Sequence, residues 1–351
     1  MCGKLIRFKR RFLKMKQGTN IVKRIAGTAM LPVAMYIVMM ILCYANGKTY
    51  FGSLQMWKIV IVDVAISASC AMGIGLQFKC GRFDFSGGAI MLVAAIIAGN
   101  MAQREYNSNP LIFCLLCVGI CVLLSFIVSI VYVYGRLPII IATIAMALLY
   151  ESLTCIIFNG AGAKYVANMS LNKFSSFPLA LLPFGICIVI YGIYSYVTVS
   201  GKQSQLLNNN QQAAVNIGIN EKKNVIISYI FSGLIFGFAT IMYATNSNHD
   251  ASFTSLTTAG ELFSNILPVF IGLMLAGFCG DLIGTIMGAL TLSILSYALS
   301  AVFSSELGAA ISTVITGIFI LVLNVVAAQG SGWIANIKKV FKKSVKAPEN
   351  L

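Results

Sequence analysis

Charge is the scarcest commodity in this 351-residue chain: Asp, Glu, Lys and Arg together make up 10% of it, against about 25% in a soluble domain. With 58% hydrophobic residues and a mean hydropathy of +0.88, that shortage excludes a soluble globular protein. Histidine is limited to His249, beside Asp250, so no Ser/His/Asp or metal-spaced arrangement can be assembled and an intramembrane enzyme is poorly supported. A Gly-x-x-x-x-Gly-Lys-[Ser/Thr] phosphate loop is missing: Gly47-Lys48-Thr49 lacks the upstream glycine. The chain is therefore not expected to bind ATP by that route, or to carry a cofactor of its own. There are ten cysteines, but none falls in a stretch expected outside the cell, so no disulfide framework is implied. Cys114, Cys117 and Cys121 share a helix face without His or carboxylate beside them, which reads as packing rather than a metal site.

What the chain has is long apolar runs. Crossing a hydrocarbon core takes roughly 20 apolar residues in a helix, because a helix satisfies its own backbone polar groups. Ten runs qualify as spans: residues 25–45, 59–76, 87–102, 111–134, 137–158, 177–199, 225–245, 262–279, 282–303 and 307–328. The third and eighth are the shortest and are open to being tilted, broken or re-entrant. The expected fold is an all-α integral membrane protein of about ten helices. The first run has no small-residue cleavage site after it and reads as a retained span rather than a removed signal.

An even number of spans puts both termini on one side. Residues 1–24 hold nine basic residues and no acidic ones, as expected of a cytoplasmic segment lying against anionic lipid headgroups. With the termini inside, 20 Lys and Arg fall on the cytoplasmic side; only Lys48, Lys58, Arg104, Lys164 and Lys173 fall outside. The positive-inside rule then gives an N-in, C-in topology. The net charge of +15 reports topology, not nucleic-acid binding. The organisation is a basic segment (1–24), a transmembrane region (25–328) and a basic tail (329–351). A polar cytoplasmic break at 200–223 interrupts the transmembrane region.

That break carries Gln211-Gln212-Ala213-Ala214, with Asn208, Asn209 and Asn210 available to cap a helix and Gly218 to end it. A short helix under the membrane is expected; the plainer alternative is a solvated connector.

Two ionisable residues lie inside runs, Asp63 and Glu151, roughly 6–10 Å below the outer boundary. Asn265 and Tyr297 fall in a similar outer band, so the four could line the outer part of a substrate path. Alternatively, Asp63 snorkels towards the headgroups near Lys58 and the other three tie helices together. Gly284 and Gly288 form a small-xxx-small packing face.

Four stretches resemble the permease family of ABC importers for ribose and other simple sugars. Nucleoside and branched-chain amino-acid permeases are more distant relatives. The stretches are Gly81-Arg82-Phe83-Asp84-Phe85-Ser86-Gly87-Gly88, matching at Asp84, Ser86 and Gly88; Arg136-Leu137-Pro138 through Thr143 to Tyr150; the loop with Asn210, Ala213, Ala214, Gly218, Ile219 and Asn220; and Gly284 through Leu290. The departures are Gln211 and Gln212 where the family is typically acidic, Val215 where Arg is frequent, a more apolar 272–281, and Glu151 where many relatives are basic or small.

The resemblance implies a permease subunit in the cell (inner or plasma) membrane, importing a simple sugar or a related polar solute such as a nucleoside. It implies a cytoplasmic ABC ATPase that carries the ATP and docks on Asn210–Asn220. It also implies an extracytoplasmic substrate-binding protein and a second permease subunit, identical or paralogous. The competing reading is an ion-gradient-driven secondary transporter built as five plus five spans, with Asp63 and Glu151 relaying protons or binding sodium. A structural or scaffold membrane protein is a third reading.

Overall fold

The computed structural model describes residues 2–318 apart from 167, 276, 277, 304–306, 309 and 316, with side chains from Arg24 onward. The tenth apolar run and the basic tail lie largely or wholly outside the described residues. In chain order the helices are α1 (Cys2–Ala45), α2 (Leu54–Lys79), α3 (Gly87–Arg104), α4 (Pro110–Gly135), α5 (Ile139–Ile156), α6 (Met169–Asn172), α7 (Leu181–Gly192), α8 (Val199–Asn209), α9 (Gln211–Asn216), α10 (Glu221–Asn246), α11 (Ala259–Leu275) and α12 (Asp281–Val302). No strand occurs among the described residues; one antiparallel bridge joins Ala163 to His249.

Seven of these helices are long and apolar enough to cross a membrane: α2, α3, α4, α10, α12, the Arg24–Ala45 part of α1, and α5 continued to Gly160. Leu111, Leu115, Leu123, Ile140, Ile141, Leu149 and Val189 stand exposed on the outside of the bundle. Such a continuous apolar surface is tolerable only against lipid. The chain is an all-α integral membrane protein.

The sequence-derived spans need two adjustments. The sixth run is not one straight helix: α7 passes through a π-helical segment, Ile193–Val197, and the chain bends by 67° into α8. Thr198 makes the corner, donating to Tyr194 O at 2.7 Å and accepting from Gly201 N at 3.1 Å. A Cβ at Gly201 would lie 2.0 Å from Tyr194 O, so only glycine allows so tight a corner. The start of the polar break is itself helical from Val199 to Asn209, upstream of the short helix expected at Gln211-Gln212-Ala213-Ala214. The eighth run is α11, only 17 residues long.

Helices α2, α3 and α10 form the centre. Residues from Cys70 to Ala239 on α2, α3, α4, α5 and α10 build one apolar cluster with Leu262 and Ile266 of α11. Gly284 and Gly288 of α12 meet backbone of Gly272 and Pro268 in α11, as expected of a small-residue packing face.

Candidate functional site

A set of polar residues converges on a cavity of about 240 Å³ lined by Asp63, Ser67, Asn246, Ser264, Asn265, Ser293, Ser296, Ser312 and Thr313, with Ile66 and Leu292. Each helix contributes one face. Asp63 and Ser67 are four apart on α2, and Ser293 and Ser296 are three apart on α12, the spacings that bring helical side chains together. Asn246 stands at the end of α10, and Ser264 and Asn265 lie in the second turn of α11. A neighbouring cavity of about 440 Å³, lined among others by Gln55, Lys58, Ser175 and Ser176, shares Asp63 and Asn246 with the first. The inner cavity is thus lined by hydroxyls, amides and one carboxylate, with no basic side chain among the described residues. Asp63 is half-buried and has no hydrogen-bond or ion-pair partner among the described residues. Asn265 donates to Glu261 O at 2.9 Å and keeps its amide oxygen for other donors.

Of the four residues proposed for an outer path, then, Asp63 and Asn265 line the cavity. Tyr297 packs on Phe51, 6.3 Å between ring centroids, in an apolar cluster that includes α1 and α2 residues. Glu151 is 2% exposed and holds the loop before α11. Its Oε2 accepts from Leu256 N at 2.6 Å, and its Oε1 accepts from Thr258 N at 2.8 Å and Thr258 Oγ1 at 2.6 Å. A carboxylate at the first N–H groups of a helix satisfies donors that have no intrahelical partner and favours the positive end of the dipole. Ser67, Ser293 and Ser296 were not anticipated; their spacing from Asp63, and from each other, is the signal that was available.

Asp84, Ser86 and Gly88 lie on or just after an extended segment between α2 and α3. Its side chains alternate as an extended chain requires. Phe83 and Phe85 join Phe78, Phe263 and Phe270 in a chain of rings 5.0–6.0 Å apart, while Arg82, Asp84 and Ser86 are buried on the other side. Asp84 Oδ1 accepts from Ser86 N at 2.8 Å and Ser86 Oγ at 2.6 Å, turning the chain into α3. A Cβ on Gly88 would lie 2.9 Å from Thr258 O, so the matched glycine is where this segment touches the loop that Glu151 holds.

At the inner end of α2, Lys79 pairs with Asp281 of α12 at 2.6 Å and sits 4.6 Å from the Tyr191 ring. The Asn210–Asn220 region is a compact turn. Asn210 Oδ1 caps α9 through Ala213 N (3.0 Å), and Asn220 Oδ1 caps α10 through Lys223 N (3.1 Å). Gly218 has φ +93° and ends α9, with Gly218 N bonded to Val215 O and Ile219 N to Ala214 O. Leu207, Ala214 and Ile219 form a small core beneath it. Val215 and Ile217 remain exposed, Ile217 by 73%. Gln211 Nε2 donates to Glu221 Oε1 at 2.8 Å, a bond that an ionised acid at 211 could not make. Gln212 is exposed on the same turn.

Helices that cross the bilayer around a polar cavity, joined on one face by short capped helices, define a membrane transport subunit. The chain belongs to the family described as branched-chain amino acid transport system / permease component, which matches residues 56–327. It is similar to the ribose import permease protein of Escherichia coli (strain K12), 25% identical over 252 residues that cover 69% of this chain and 76% of that protein. It is also similar to the fructose import permease protein of Bifidobacterium longum (strain NCC 2705), 23% identical over 313 residues that cover 84% and 89%. A third relative is the galactose/methyl galactoside import permease protein of Haemophilus influenzae, 23% identical over 76% of this chain and 86% of that protein. No solved structure matches.

Proposed function

We propose that this protein is the membrane-spanning permease subunit of an ABC importer for a simple sugar or a similar uncharged polyol, with ten spans and both termini inside. The observation that carries the reading is the cavity at Asp63 and Asn265, added to the sugar import permeases among the relatives. Hydroxyls, amides and one carboxylate suit a solute that both donates and accepts hydrogen bonds, and the lining of the cavity of about 240 Å³ offers no cation for a phosphate or carboxylate group, Lys58 lining the neighbouring one.

In this reading the turn Asn210–Asn220 is the docking face for a cytoplasmic ATPase, which binds the ATP. Val215 and Ile217 supply apolar contact. An extracytoplasmic binding protein delivers the solute to the cavities at Asp63, and a second permease subunit completes the assembly. The gradient-driven alternative has Asp63 and Glu151 relaying protons or binding sodium. Glu151 does not line the cavity, and its carboxylate is occupied by donors from 256–258.

The test is reconstitution of the complex with its ATPase and binding protein in liposomes, measuring uptake of ribose, fructose and galactose. Uptake that requires ATP and persists when ion gradients are collapsed supports the reading. Uptake that follows an ion gradient at constant ATP overturns it.

A further inference from the structure

We propose that Arg82 and Asn224 are positioning residues for transport: they carry movement of α8 into the interior segment 82–88 and so to the cavity. The proposal rests on the import reading above.

Asn224 is 1% exposed, and its amide joins two elements. Its Nδ2 donates to Ser200 O at 2.8 Å and Ser200 Oγ at 3.0 Å on α8, and its Oδ1 accepts from Ser204 Oγ at 3.0 Å on the same helix. The same Oδ1 accepts from Arg82 Nη2 at 3.2 Å. Tyr194, at the corner where α7 turns into α8, bonds Ser204 at 2.8 Å. Every polar atom of the amide is therefore committed either to α8 or to Arg82.

Arg82 is 5% exposed. Its other nitrogen reaches Ser228 Oγ at 2.7 Å and Gln77 Oε1 at 3.3 Å, and it makes no ion pair among the described residues. A buried cation whose hydrogen bonds all go to neutral oxygens, with the Asp84 carboxylate acting on it only through space, is costly, and a buried Gln77 Nε2 beside it has no partner. That arrangement is one expected of an element with a second position, where these groups are paired differently.

From Arg82 the chain passes Phe83, Asp84 and Phe85 and turns at Ser86 into α3, the turn tied by Asp84 Oδ1 to Ser86 N and Oγ, so a shift of Arg82 is carried along a short segment fixed at its far end. Two contacts pass it on. Phe85 packs on Phe263 at 6.0 Å, the residue before Ser264 and Asn265 of the cavity. Gly88 abuts Thr258, which leads directly into α11.

The test uses the full complex with its ATPase and binding protein, with a cysteine placed at Ser264. Its labelling by a membrane-impermeant maleimide is read above the native cysteines, with and without a non-hydrolysable ATP analogue. Uptake of whichever of ribose, fructose or galactose the wild type carries, and ATP hydrolysis, are read in parallel. R82Q and N224A are expected to assemble and hydrolyse ATP close to wild-type levels while the nucleotide-dependent change in labelling and the uptake fall about tenfold, within the usual range for coupling between sites. The double variant should do no worse than either single one, because both break the same link. S204A, which removes one hydroxyl from Asn224 and leaves Arg82 alone, should give a smaller loss of the same kind. A labelling change of wild-type size in R82Q or N224A overturns the proposal. So does an uptake loss matched by equal loss of assembled complex, or losses that multiply in the double variant. A wild-type complex without ATP-driven uptake would overturn the import reading instead, since the labelling change is read independently of uptake.

Discussion

Thr258 is bonded to Glu151 twice, through its backbone nitrogen at 2.8 Å and its hydroxyl at 2.6 Å, both to the same carboxylate oxygen. With Leu256 on the other oxygen, the carboxylate fastens α5 to the start of α11. Glu151→Gln replaces one acceptor with an N–H that faces donors. The expected cost is about 1–3 kcal/mol, typical of a buried group left without its partner. Thermal stability of the purified protein in detergent, and protease cleavage in 250–258, would read it. An unchanged melting temperature and cleavage pattern would show that the carboxylate is not holding this loop.

Asp63 has the opposite profile: a half-buried carboxylate with no hydrogen-bond or ion-pair partner among the described residues. Asp63→Asn should leave thermal stability unchanged and weaken sugar uptake. A hydrogen bond to a charged group is worth about 1.5–3 kcal/mol, so a rise in KM of about tenfold or more is expected. Unaltered uptake across ribose, fructose and galactose would remove Asp63 from the path.

Gly218 occupies the left-handed region at φ +93° with open space around it. Gly218→Leu meets no steric clash there, so its penalty is the backbone term alone, about 1–2 kcal/mol. That is enough to unseat the α9 turn without unfolding the spans. Ala213→Glu places a charge on the same exposed turn. Both variants should lose ATPase association and uptake while inserting normally. Because none of residues 210–220 is charged and the exposed apolar side chains are Val215 and Ile217, association should change little with ionic strength, unlike a salt-bridged contact. Normal ATP-driven uptake by both variants, or a steep salt dependence in the wild type, would contradict this docking face.

His249 sits in the loop between α10 and α11, its ring against Tyr243 at 4.4 Å and Tyr165 at 6.2 Å, with Nε2 3.2 Å from Tyr243 O. Burial lowers its pKa below the ordinary 6.5, opposed by that carbonyl and by the neighbouring Asp250. The fold therefore favours the neutral ring. Its contribution is complete above pH 6.5 and is lost as the pH falls from there through the lowered folded value. The melting temperature should decline below about pH 6.5, and His249→Gln should flatten that decline. Identical pH profiles for the two proteins would assign the effect elsewhere.

Length and apolarity made the long spans legible, since α2, α4, α10 and α12 are each a run that only lipid accommodates. Counting residues also assigned Asp63, Glu151, Asn265 and Tyr297 to one depth. Facing was not legible, because which side of α5 or α12 meets which neighbour depends on packing that no local pattern encodes. Arg82 was counted as a cytoplasmic charge marking topology, yet it is buried among neutral acceptors. A charge count treats every Lys and Arg as solvated, so it cannot detect such a residue. The alternation Arg82, Phe83, Asp84, Phe85, Ser86 was visible and signals an extended, two-faced segment. The corner at Thr198 carried a cap residue and a glycine three positions on, but a single Thr and Gly are too common to predict a 67° turn.

That corner has a mechanical consequence. Helix α8 has 11 residues and so measures about 16 Å at 1.5 Å per residue. Hinged at Thr198, it is a lever: a rotation of roughly 10° would sweep its far end, where the Asn210 turn begins, through about 3 Å. Ser200 and Ser204 stand about 3 and 9 Å from the fulcrum, so the same rotation moves them by only about 0.5 and 1.6 Å. A broad displacement at the inner surface is thereby geared down to a small, forceful one at Asn224.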